Sequence, residues 1–118
     1  MAPVDLETRT TEFALRVIKV FSALPKTTEA QVLGKQLRRC GSRLGRITEK
    51  PDERNQLRTS SARSKALQEL DETGYWLQLI EKSEILSAKR LAALHDEANE
   101  ITKILVTVVK RAKEKLKK

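Results

Sequence analysis

A chain of 118 residues can bury one core, and its composition argues against a sheet sandwich: aromatic residues make up 3%, charged residues reach 34%, and three prolines and four glycines leave long stretches without a breaker. Lys and Arg outnumber Asp and Glu by 24 to 16, a formal net charge of +8. No apolar run has signal-peptide length and none approaches the roughly 18 to 20 residues that span a bilayer, so a cytoplasmic protein without a membrane partner is expected. Cys40 is the only cysteine. Neither an internal disulfide nor a thiolate zinc site is expected within one chain, and a reduced, buried cysteine is the expectation.

In chain order, residues 5 to 25 place Leu6, Phe13, Val17, Val20 and Leu24 at spacings of three, four and seven, the mark of one buried helix face, closed by Pro25. Thr28 followed by Gln31 predicts a capping box. Leu33, Leu37, Cys40, Leu44 and Ile47 continue the helical period to about Lys50. Pro51, Asp52 and Glu53 suit the first turn of a third helix, whose buried stripe is Ala66, Leu70, Thr73, Leu77 and Ile80. Its start, with Thr59, Ser60 and Ser61, has the weakest helix propensity and is expected as loop or frayed. Ser87 is a good N-cap for a fourth helix carrying Leu91, Leu94, Ala98, Ile101, Leu105, Val108 and Ala112. Connections of about two to six residues predict an all-α, antiparallel up-down-up-down four-helix bundle. It is one domain over residues 1–118, with a basic tail over 110–118.

Charge is uneven along this frame. Residues 34–46 hold five basic side chains and no acid, residues 110–118 six basic against one acidic, and residues 66–100 three basic against eight acidic. At 100° per residue Lys35, Arg39, Arg43, Arg46 and Lys50 fall within about 80° of one another on the second helix. Gly34, Gly41 and Gly45 occupy a different face, and each costs about 1 kcal/mol of helix stability relative to Ala, so a closely approaching helix is expected there, from this subunit or another. Tyr75 and Trp76 are about 100° apart and cannot enter the same core; one of them is expected at a seam or subunit contact.

Catalysis needs an acid, base or nucleophile beside a partner in a pocket. His95 has Leu91, Ala92, Ala98 and Asn99 as helical neighbours, so it has neither a second metal ligand nor a nucleophile to activate. Glu69, Asp71, Glu72, Glu97 and Glu100 lack the Glu-x-x-His pairs of di-iron bundles and read as a solvated or ion-paired face. The expectation is a non-enzyme with no metal and no cofactor.

Residues 71–80 (Asp-Glu-Thr-Gly-Tyr-Trp-Leu-Gln-Leu-Ile), the run from Glu97, Ala98, Asn99, Glu100 and Ile101 to Lys113, and Gln36, Leu37, Arg39, Gly41, Ser42 and Gly45 carry a resemblance. Together they resemble the bacterial four helix bundle protein family, also known as large-subunit ribosomal RNA intervening-sequence proteins. The segment after Gly45 and the polar Thr59, Ser60 and Ser61 depart from the family pattern. The resemblance implies a homopentamer, and a distant likeness to the accessory protein of diversity-generating retroelements implies a reverse transcriptase as partner. The reading is an oligomeric bundle binding nucleic acid, RNA rather than DNA, mainly through phosphates. Its candidate contacts are Lys35, Arg38, Arg39, Arg43, Arg46, Lys50, Lys110, Arg111 and Lys113. The alternatives are a protein-interaction scaffold whose charges serve assembly alone and an accessory subunit of a reverse transcriptase.

Overall fold

The structure, a computed structural model, describes residues 6–48 and 60–116. Among them are four α-helices, α1 (Leu6–Ala23), α2 (Thr28–Thr48), α3 (Ser60–Lys82) and α4 (Ala88–Leu116). Each packs on its neighbour in sequence, and α1 meets α4 to close the ring, while among the described residues the diagonal pairs bring no Cα atoms within 8 Å. No helix among the described residues is long and apolar enough to cross a membrane.

The stripes expected from the sequence form the core. Phe13, Val17 and Leu24 are buried from the first segment, Leu37, Cys40 and Leu44 from α2, all five marked residues of α3, and Leu91, Leu94, Ala98, Ile101 and Leu105 from α4. Leu6, Val20, Leu33 and Ile47 are only half-buried, packed against this core, and Val108 and Ala112 are half-buried too, in the last turns of α4. Two threonines at the α1–α2 seam escaped the pattern. The hydroxyls of Thr10 and Thr48 are fully or nearly buried and share a hydrogen bond; one donates to the other, which in turn donates to a carbonyl one turn back, Leu6 for Thr10 or Leu44 for Thr48.

The helix ends follow local chemistry. Pro25 disfavours helical backbone at the residue before it, and α1 stops at Ala23. The cap of α2 differs from the expected Thr28–Gln31 box: Thr27 Oγ1 accepts from the Ala30 amide at 3.3 Å, and Gln31 donates back to the Pro25 carbonyl at 3.0 Å. The Ser87 hydroxyl accepts from the Arg90 amide at 3.3 Å, capping α4 as expected. After α3 the chain reverses through Glu84, at φ 59°. The Ile85 amide bonds the Ile80 carbonyl at 3.2 Å and the Glu84 amide the Glu81 carbonyl at 3.0 Å, a Schellman-type ending. Ser60 and Ser61 are helical rather than frayed. The expectations for Lys50, Pro51, Asp52, Glu53 and Thr59 lie outside the described residues.

Gly34, Gly41 and Gly45 all face α1 of the same chain. A Cβ on Gly41 would stand 3.2 Å from both Val17 methyls, and one on Gly34 would stand 2.7 Å from a Phe21 ring carbon. At Gly45 the same atom would sit 3.6 Å from the Ala14 Cβ. The compensation for three helical glycines is therefore the close α1–α2 seam. Where α1 passes α4, Arg9 grips Glu97 with two hydrogen bonds, at 2.7 and 3.0 Å. This geometry raises the Arg9 pKa and lowers that of Glu97, each chiefly through the shared hydrogen bond.

Candidate functional site

Antiparallel topology sends the chain direction of α2 and α4 toward one end of the bundle, the end where α3 begins. The positive stretch of α2 thus runs toward this end, where Arg43 and Arg46 lie, and that of α4 ends there, so that the two flank the first turns of α3. Arg43, Arg46 and Ile47 of α2 line a groove of about 360 Å³ with Lys65 of α3. On the other side, Ser60 and Arg63 of α3 and Val108, Arg111, Ala112, Lys115 and Leu116 of α4 line one of about 610 Å³. Among the described residues, every charged one lining either groove is basic.

Within the expected stripe, Lys35, Arg39 and Arg46 are exposed. Arg43 is 47% exposed and turned partly inward, its Nη1 4.0 Å from Glu69 Oε1. Arg38 stands apart from the stripe, its guanidinium 4.5 Å above the Phe21 ring on the α1 side. Lys110, Arg111 and Lys113 are exposed on the last turns of α4, and Lys50 lies outside the described residues. Arg63 and Lys65 were not legible as contacts in the sequence, whereas Lys115 belongs to the expected basic tail. Only the pairing register of α3 against α2 and α4 brings Arg63 and Lys65 beside the others.

Beneath Arg43 lies a cluster that the sequence did not assemble. Glu69 and Glu72, one helical turn apart on α3, meet Cys40 of α2, and one donor atom from each lies within 4.8 Å of the others. Cys40 and Glu69 are each 3% exposed. The Cys40 thiol donates to Glu72 Oε2 at 3.6 Å, while Glu69 Oε2 is buried without a hydrogen-bond partner. Burial first, then the charges of Glu69 and Glu72, push the Cys40 thiol up to about 12. Burial, and then Glu72, also raise Glu69, with Arg43 opposing.

The aromatic pair divides as its helical spacing demands. Trp76 packs against the core, whereas Tyr75 is 53% exposed and meets Trp76 edge-on, with centroids 5.1 Å apart and rings at 70°. Beside Tyr75 an open groove between α3 and α4 is lined by Asp71, Gly74, Gln78, His95, Asn99 and Thr102. His95 is thus a groove residue, its Nε2 buried without a hydrogen-bond partner. A Cβ on Gly74 would meet nothing within 4 Å, so this glycine marks open space rather than a packed contact.

No curated protein matches the chain. A crystal structure of a protein of unknown function from the S23 ribosomal protein family of Bacteroides thetaiotaomicron is similar in fold and sequence. It has a TM-score of 0.74 and 27% identity over 89% of this chain and 98% of the other. Residues 4–107 match the family described as 23S rRNA-intervening sequence protein. With all four helices inside or overlapping that match, the chain belongs to the 23S rRNA-intervening sequence protein family.

Proposed function

We propose that this protein is a non-enzymatic, oligomeric helical bundle that binds RNA through its basic end, mainly by phosphate contacts. The observation that carries this reading is the pair of grooves flanking the start of α3, whose charged lining among the described residues is Arg43, Arg46 and Lys65 on one side and Arg63, Arg111 and Lys115 on the other. Like charges gathered this closely repel one another, and an anion along the surface relieves the repulsion. Arg and Lys at the mouth of a shallow groove suit phosphate oxygens. No base-reading arrangement accompanies them, so sequence preference is weak. The family description ties its members to sequences intervening in 23S rRNA, which favours RNA over DNA.

Assembly as a homo-oligomer, a pentamer by resemblance, supports the same function, because contacts repeated around a ring sum by avidity. Leu15, Ile18, Val32, Tyr75 and Val106 are exposed large apolar side chains available for subunit contact. They also favour the scaffold alternative, in which charge serves assembly alone. Changing Arg46, Lys65 and Arg111 to Gln separates the two. RNA binding weakens while native mass and helicity stay unchanged if the basic end is the ligand surface. Unchanged RNA affinity, or dissociation of the oligomer, supports the scaffold.

A further inference from the structure

We propose that Cys40, Glu69 and Glu72 form a binding site for one divalent transition-metal cation of the zinc class. The three donors come from two packed helices, two of them are almost fully buried, and one atom from each lies within 4.8 Å of the others. Glu69 Oε2 makes no hydrogen bond although it is sealed from solvent. Buried carboxylate oxygens without a partner are costly and uncommon, and a cation supplies the missing partner.

Charge and ligand chemistry narrow its identity. A thiolate and two carboxylates carry three negative charges, and the guanidinium of Arg43, 4.0 Å from Glu69, supplies one positive charge. A divalent ion offsets most of the negative charge gathered there. Sulfur ligation disfavours magnesium and calcium, and mixed sulfur and carboxylate donors suit zinc or cobalt. Bonds of about 2.0–2.3 Å in a tetrahedron put ligand atoms roughly 3.3–3.8 Å apart. Closure around an ion therefore needs a contraction of about 1 Å, within reach of two glutamate side chains. Three protein ligands leave one position for water. Binding breaks the Cys40 S–H bond, forms a sulfur–metal bond and releases the proton to solvent, so affinity rises with pH. The charged groups bearing on the site are Glu72 and Lys65 from α3 and Arg43 from α2.

The site is tested on the reduced full-length protein titrated with cobalt(II) in mildly alkaline buffer. The expected result is a near-ultraviolet thiolate-to-cobalt charge-transfer band that saturates at one cobalt per chain and is displaced by zinc. Because Cys40 is the only cysteine, that band in the unmodified protein identifies its own ligand. Cys40→Ser abolishes the band and weakens cobalt binding roughly 10-fold or more, at least the cost of losing an outer-shell partner. Glu69→Gln keeps the band but shifts it to higher cobalt, with circular dichroism confirming that both variants remain helical. Absence of a charge-transfer band, or cobalt uptake that Cys40→Ser leaves unchanged, overturns the proposal.

Discussion

Glu84 occupies a backbone conformation, φ 59°, that costs a residue with a Cβ about 1 kcal/mol, and its position after α3 is where a glycine usually stands. Glu84→Gly is expected to stabilise the protein by about 0.5–1 kcal/mol, less the extra chain entropy glycine brings to the unfolded state. Thermal unfolding checks this through a rise of roughly 2–6 °C in the midpoint. The sequence hid this feature because Ser83, Glu84 and Ile85 contain no glycine to announce it. Glu69 was hidden for a related reason. An acid between Ala66 and Leu70 reads as the solvent edge of an amphipathic helix, and only the seating of α2 across it buries the carboxylate. Thr27 and Thr28 show the limit of a motif rule. Spacing to Gln31 selected Thr28, whereas the first turn is capped by Thr27, whose partner at the third position is Ala30.

Between elements, the α1–α2 seam sets the most demanding packing in the bundle. Gly41→Leu drives carbon into the Val17 side chain, since its first added atom already stands 3.2 Å from two methyls. The expected loss is about 1–3 kcal/mol, read from denaturant unfolding. Gly45→Ala is the internal contrast. Its Cβ finds ordinary contact at 3.6 Å from Ala14, so the gain of about 1 kcal/mol in helix propensity is expected to survive. The sequence showed a glycine face needing a near neighbour but not which helix provides it, because periodicity describes one helix at a time. The α1–α4 seam adds a pH dependence of known sign. Arg9 holds the folded-state pKa of Glu97 below its ordinary value of 4.5. The stability this contributes is present above the unfolded pKa and is lost as pH falls through the lowered folded value. The stability difference between the parent and Glu97→Gln is therefore expected to shrink below about pH 4.5. A difference that stays constant from neutral to acid pH contradicts the pairing.

For the whole molecule, helix order and the four buried stripes were legible from residue spacing, and the uneven charge from counting. What spacing alone left open was how separate basic stretches meet in space. The antiparallel arrangement brings the ends of α2 and α4 beside the start of α3, adding Arg63 and Lys65 to the cations the sequence had marked. It also removes Arg43 in part, turning it toward Glu69. Acids are concentrated instead within residues 66–100, on α3 and the first half of α4. A surface of this kind binds RNA with counterion release, and the affinity then depends on salt in a countable way. The decisive measurement is the affinity of the full-length protein for a structured RNA over a series of salt concentrations, beside the Arg46→Gln, Lys65→Gln, Arg111→Gln triple variant. If phosphate contacts at the basic end carry binding, log affinity falls linearly with log salt at roughly 0.7–0.9 per phosphate contacted, with a shallower slope and weaker binding for the variant. Parent and variant binding with the same affinity and the same slope would contradict it.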